Sequence, residues 1–474
     1  MSILAIDQGT TSTRAILVAP DGTATKIAGF EHRQSYPRPG WVEHDALELL
    51  SHVAACIEAA PAGTKAVGIA NQGESCLAWN RETGEPLGPV IVWQDERTAD
   101  VTARLRDDGS ETLTLARAGL PLDPYFSASK LGWIVANVPE AALQAERGLL
   151  CLGTTDAFFR HRLTGRFETD IATASRTSLL SLDSCEWDTE LCALFGVPVE
   201  ALPRITPTHG ELGTLPGGLP LAASIVDQQA ALRGHECRAA GDAKITFGTG
   251  AFALSLAGTM RPAAGRGPLP TIAWSAPGGA PLYALDGGVY AAGAAVNWAR
   301  SLGLFSDWAE VSDFAGEPAI SRGLAFVPAL AGLACPHWDR RAKGAWMGMG
   351  LATSRLDLVQ AVLEGIAFRT AEALSAMDAI APIANPVSVD GGVTRSPWFC
   401  QFLADCLGRD IVVSDDPERT AAGGARLAAG PSGQHIASPP TGRVLVSNPV
   451  PRHWHDRFAA ARRAVQGYGG DGHE

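Results

Sequence analysis

The chain has 474 residues, 46% hydrophobic and 19% charged, with a formal net charge of −12 at pH 7. This is globular composition, and the length suits two or three domains with sizeable cores. The acidic balance, without a Lys/Arg cluster, argues against nucleic acid or an anionic membrane as partner, and no apolar run reaches the ~18 residues of a membrane span. Met1-Ser2 lead directly into a strand, so no signal peptide and a cytoplasmic location are expected. Nine cysteines, an odd number with no C-x-x-C, read as reduced buried thiols.

In chain order, an apolar run from Ile3 to Ile6 meets a Gly-Thr turn after Asp7 and resumes as a strand from Thr13 to Val18. Pro20-Asp21-Gly22 then signals a hairpin. A helical stretch, Ala46 to Ala60, and strand candidates at Ala66 to Ala70, Val90 to Trp93 and Leu149 to Leu152 give α/β patterning. Asp227, in SIVDQQAAL, ends an apolar run and precedes a helix, which puts its carboxylate at a strand terminus, where α/β proteins place ligands. The small, polar stretch from Gly234 to Gly241 marks a domain boundary, giving units 1–236 and 237–467 and a disordered tail, 468–474.

Immediately beyond that boundary the opening layout repeats. Ile245 to Phe247 runs into Gly248-Thr249-Gly250, and Phe252, Leu254 and Leu256 alternate as a strand. Further on, a long helix begins at Ser354, with Asp357 three residues later as a capping-box partner. A strand from Val387 to Val389, the Gly391-Gly392 loop, and a helix capped by Ser396 with Pro397 in its first turn form a β-loop-α unit. Its glycines allow close backbone approach to a base or sugar, or serve packing alone. His453-Trp454-His455 reads as a solvated helix start, since it lacks Cys or carboxylate partners for a metal.

Two Gly-Thr turns, each between strands, suggest a nucleotide held between two halves. None of the five lysines follows a glycine, so a Walker-type loop is excluded. A Rossmann turn needs a helix after the glycines and an acidic residue ~20 positions on, whereas a strand follows Gly250 and the next Asp or Glu is Asp286. Phosphates would therefore rest on backbone N–H groups and threonine hydroxyls of hairpin turns. Transfer of a phosphoryl group to an alcohol needs a carboxylate near the hydroxyl proton, which makes Asp227 the candidate base. Asp7, before the first turn, is placed to hold Mg²⁺ through water. For an isolated Asp, capping a helix or a turn is the commoner role.

At this point the chain resembles the FGGY family of sugar kinases, and within it the glycerol-phosphorylating members. The resemblance is carried by DQGTTSTR from Asp7, YPRPGWVEHD from Tyr36, VIVWQDERT from Val90, DPYFSASKLGW from Asp123, ATASRT from Ala172, VDQQAAL from Val226, FGTGAF from Phe247, GLACPHWD from Gly332 and DGGVTRS from Asp390. It implies an α/β fold of two ribonuclease-H-like (actin-like ATPase) domains around a central cleft. It also implies ATP with Mg²⁺, a small polyol or sugar acceptor, and a homodimer. Thr10, Thr11, Ser12 and Arg14 fall at the ATP phosphates with Thr249 opposite, and Gly293, Asn297, Gly392 and Ser396 fall at the nucleotide. Glu74, Trp93, Tyr125, Asp227, Gln228 and Phe252 fall on the acceptor. Taken without the family, the three aromatics are more often core than ligand wall.

One departure bears on the substrate. Gly73 stands where the glycerol-phosphorylating members carry an arginine that hydrogen-bonds the acceptor. Loss of a charged donor costs about 1.5 to 3 kcal/mol of affinity if nothing replaces it. The expected acceptor is therefore glycerol or a larger polyol, with a ketose or sugar acid as alternative; an actin-like ATPase and a non-catalytic sugar sensor are the readings from other classes. The Gly-Lys-rich loop used for sugar-phosphate inhibition in the family is shortened here to Pro216-Gly217-Gly218, so that regulation is not expected.

Overall fold

The computed structural model describes residues 2–314, 316–430, 435–437 and 442–470. Two mixed sheets carry the architecture. The first has five strands in the order Leu221–Val226, Val67–Asn71, Ile3–Gln8, Ser12–Val18, Ala24–Glu31. Its first three strands run parallel and its last two join antiparallel through hairpins. Ile3–Gln8, at the centre, is buried at every position, as a strand covered on both faces must be.

The second sheet repeats this plan. Strands Leu282–Val289, Ala251–Gly258, Ala243–Phe247, Val387–Gly391 and Ile411–Val413 stand in the same relation, two antiparallel hairpin partners beside three parallel strands, with one more strand added at each edge. The duplication expected from the two Gly-Thr turns is thus a duplication of whole sheets. This is the ribonuclease-H-like, actin-like arrangement.

The helices that shape the centre obey local chemistry. Arg355–Asp378 starts with the capping box: the Asp357 N–H donates to Ser354 Oγ at 3.2 Å and the Ser354 N–H to Asp357 Oδ2 at 2.8 Å. Ser396 caps Pro397–Leu407 by accepting from the Phe399 N–H at 3.1 Å. Less expected is Arg419–Ala429, which comes late in the chain yet packs on the first sheet and against Asp227–Gly234. Glycines permit this: a Cβ at Gly423 would lie 1.8 Å from the Ala230 carbonyl oxygen, and one at Gly234 the same distance from that of Arg419. The two helices therefore meet backbone to backbone, and the first of them carries Asp227 at its start.

Some boundaries differ from the sequence reading. The expected strand from Val90 to Trp93 pairs only over Val90–Ile91. Beyond it, the buried Asp95 carboxylate accepts from the Val42 N–H at 2.6 Å and pairs with Arg97, which turns the chain and swings Trp93 toward the first hairpin. The last helix, Arg452–Gly470, runs past Gly467, where the tail was expected to begin, and 471–474 lie outside the described residues. Within that helix the His455 ring packs edge-on against Phe368 at 5.2 Å, and no metal-ligating cluster occurs among the described residues. Nor is any helix among them long and apolar enough to cross a membrane. All nine cysteines are free thiols, eight of them buried.

Candidate active site

Asp227 stands at the first turn of its helix, directly after the buried strand Leu221–Val226. It lines a cavity of about 170 Å³ together with Thr10, Gly73, Glu74, Trp93, Tyr125, Arg176, Gln228, Phe252 and Asp286. Every residue expected at the acceptor is therefore brought to one chamber. Phe252 and Asp286 reach it from the second sheet and the others from the first half of the chain, so the chamber lies between the two units.

Burial, with the Glu74 and Asp7 charges nearby, pushes the Asp227 carboxyl up to about 7, against the Gln228 N–H (2.6 Å) and Lys244, which pull it down. A carboxylate so tuned is a far better proton acceptor than an ordinary aspartate while still ionised in useful amount at neutrality. Glu74 has φ +57°, a left-handed conformation that costs a non-glycine residue roughly 1 kcal/mol or more. The Ser127 hydroxyl, donating to the Glu74 carbonyl at 2.9 Å, and Arg176 Nε, donating to its carboxylate at 2.7 Å, hold it there. Trp93 and Tyr125 meet edge to face at 5.4 Å and wall the chamber.

The first Gly-Thr hairpin and the chamber are physically joined. The Trp93 indole N–H donates to the Thr10 hydroxyl at 3.0 Å, so the first turn and the aromatic wall set each other's position. Thr11 is exposed at the tip of that turn, and Ser12 opens the following strand. Arg14 pairs with Asp7 on the adjacent strand and, at 2.9 Å, with Glu418 at the start of the Arg419–Ala429 helix. Burial raises the Asp7 pKa and Arg14 counters it.

The second turn is backed by a helix start: the Ala292 and Ala294 N–H groups donate to the Thr249 carbonyl and that of Gly293 to Gly248, all near 3.0 Å. A Cβ at Gly293 would lie 2.4 Å from the Gly248 oxygen, so this glycine shapes the turn. Thr249, Asn297 and Gly392 are exposed. Ser396 is different. It is fully buried, and its hydroxyl donates to the Val311 carbonyl at 2.7 Å while capping its helix. Its side chain is spent on structure, which leaves this hydroxyl no surface to offer a nucleotide.

The family's N-terminal domain matches residues 2–228 and its C-terminal domain residues 243–430. The chain belongs to the FGGY family of carbohydrate kinases. It is 43% identical over 442 residues to a glycerol kinase of Citrifermentans bemidjiense, covering 90% of this chain and 89% of that one. With a glycerol kinase of Alkalilimnicola ehrlichii it shares 42% over 488 residues, or 99% and 98% of the two chains. Among solved structures, Plasmodium falciparum glycerol kinase with ADP superposes with a TM-score of 0.87 at 28% identity, covering 98% of this chain and 97% of that one. The fold is shared with a xylulose kinase of Rhodospirillum rubrum, TM-score 0.85 at 24% identity over 99% of this chain and all of the other.

Three residues in or behind the wall of this FGGY kinase's chamber escaped the sequence reading. Arg176 joins Glu74 to Asp286, with Nη2 2.9 Å from the Asp286 carboxylate. Lys244, fully buried, donates to Gln228 Oε1 at 2.7 Å and to the Thr246 hydroxyl at 3.1 Å, which anchors the Gln228 amide by its oxygen. A lysine inside the apolar strand Ala243–Phe247 was the available signal, because a lysine is almost never fully buried without partners. At Gly73, a Cβ would lie 2.9 Å from Val226 Cγ2, so the space beside this glycine is partly filled by Val226.

Proposed function

We propose that the protein transfers the γ-phosphoryl group of ATP to a terminal hydroxyl of glycerol or a related larger polyol, with Asp227 accepting the hydroxyl proton. The observation that carries this is the single chamber that holds Asp227 and Glu74, three aromatic walls and Thr10 of the first phosphate turn. Trp93, Tyr125 and Phe252 would cover the carbon chain, while Glu74 and Gln228 take hydroxyls. The γ-phosphate would sit between the Thr10–Ser12 turn and Thr249, with Arg14 near its charge. Gly293, Asn297 and the backbone at Gly392 would border the rest of the nucleotide.

Mg²⁺ fits the first turn. Asp7 is a buried carboxylate one residue from the end of the strand that leads into this turn. A carboxylate oxygen suits a cation that keeps most of its water. Asp7 would hold it through water, and the ion would supply neutralising charge to the phosphates. Cytoplasmic location and homodimeric assembly belong to the same proposal.

The chamber wall carries three carboxylates, Glu74, Asp227 and Asp286, against one guanidinium, Arg176. That balance favours uncharged hydroxyl acceptors over sugar acids. Beside the chamber lies a second space of about 50 Å³ that shares Tyr125, Arg176, Phe252 and Asp286 with it and is lined further by Phe126, Leu269 and Trp338. With no arginine at position 73 and this added room, an acceptor longer than three carbons is expected to do at least as well as glycerol. A coupled ADP-release assay over glycerol, tetritols, pentitols, ketoses and aldonates tests both parts. Turnover with polyols, strongest for four or five carbons, is expected. Glycerol preferred over all longer polyols at micromolar KM would contradict the reading of Gly73, and turnover confined to aldonates would contradict the charge argument.

A further inference from the structure

Arg176 lies in the ATASRT segment, just beyond the short helix Ile171–Ala174, and its side chain is only 7% exposed. It is the one cation on the chamber wall, and it lines both the acceptor chamber and the smaller space beside it. Its Nε donates to Glu74 Oε1 at 2.7 Å, within the first half of the chain, and Nη2 pairs with Asp286 Oδ2 at 2.9 Å, on the second sheet. Its face also covers the Phe126 ring, 5.5 Å from the centroid. Nη1 is buried with no hydrogen-bond partner, and no other chamber-lining residue holds such an atom. A buried guanidinium N–H left without a partner is costly, so a site that keeps one has an acceptor for it in the working state.

We propose that Arg176 both positions Glu74 and meets the acceptor: it fixes the Glu74 carboxylate, ties it across the cleft to Asp286, and offers its unpaired Nη1 to an acceptor hydroxyl, thereby standing in for the arginine that Gly73 lacks. The inference rests on the reading that this chamber takes the acceptor. Glu74 sits in a left-handed conformation, and its carboxylate direction depends on what grips it. Arg176 grips it with one edge and the opposite unit with another, so the hydroxyl-binding carboxylate is in place only when both pairs are made. A lysine brings the charge but not the planar fork, and cannot serve both carboxylates in the same way.

The test compares wild type with Arg176→Gln, Arg176→Lys and Asp286→Asn, measuring KM for the best polyol, KM for ATP and kcat, with circular dichroism to check folding. Arg176→Gln is expected to raise the polyol KM at least tenfold and move the ATP KM less than twofold. Arg176→Lys recovers part of that loss, and Asp286→Asn raises the polyol KM at least threefold without touching the ATP KM. If Arg176→Gln does not fold, the Lys and Asn variants decide alone. A polyol KM within twofold of wild type in the folded variants, or polyol and ATP constants rising in parallel, overturns the inference. Wild type without polyol-dependent turnover would instead remove the kinase reading on which it stands.

Discussion

Replacing Asp227 with asparagine is expected to lower kcat about a thousandfold, within the range a positioned general base contributes, while ATP affinity measured by calorimetry stays within twofold. The substitution keeps size and shape but removes the carboxylate that burial has tuned to take a proton at the strand end. The same tuning fixes the pH dependence. Only the ionised carboxylate is a base, so kcat/KM for the polyol should fall about tenfold per pH unit below about 7, the range to which burial and the Glu74 and Asp7 charges push this carboxyl. Stability moves the opposite way. The folded carboxyl ionises near 7 and the unfolded one near 3.8, so the contribution of this group to stability is present below pH 3.8 and is lost as pH rises through about 7. Asparagine carries no such loss, and the variant should melt above wild type at pH 8. Retention of a tenth of the wild-type rate would remove Asp227 from the role of base.

The second large effect is structural and turns on two adjacent glycines. Gly423→Ala places a methyl group 1.8 Å from the Ala230 carbonyl oxygen and 2.8 Å from the Gly234 nitrogen, all backbone, so the two helices must move apart. The expected cost is about 3 kcal/mol, at the upper end of ordinary overpacking, seen as a drop in Tm. Asp227 begins one of those helices, and a shift of about 1 Å there is worth about a hundredfold in rate, so kcat should fall in whatever protein still folds. Gly424→Ala meets nothing within 4 Å and gains up to about 1 kcal/mol of helix propensity. It should match or exceed wild type in Tm. Equal Tm values for the two variants would mean that the helices do not cross where Gly423 and Gly234 put them.

What the sequence made legible was local. The two hairpins announced themselves through apolar runs broken by Gly-Thr turns, and the helix starts at Ser354 and Ser396 through capping residues at fixed offsets, because each depends on neighbours within a few positions. Asp227 stood out for the same reason, as a charge ending a buried strand. Ser396 shows the limit of such a reading: the signal that located it, a capping serine, is the use that consumes its hydroxyl. Arg176 and Asp286 were illegible because their meaning lies in partners far along the chain, whereas Lys244 did leave a signal, a charge inside an apolar strand. Arg176 alone looks like any arginine, and only folding sets it between Glu74 and Asp286. Gly234 and Gly423 were hidden likewise, since a helix crossing 189 positions apart leaves no periodic trace in either segment.

The central claim is that one chamber brings the phosphoryl group from the hairpin turns to an alcohol deprotonated by Asp227, with water excluded when the acceptor fills it. Release of ADP from wild-type enzyme with Mg²⁺ and ATP, measured with and without a polyol, tests it most directly. Turnover at least a hundredfold faster with polyol, with one phosphorylated polyol formed per ADP, is the predicted result. ADP release at the same rate without any polyol, with inorganic phosphate as the product, would contradict it.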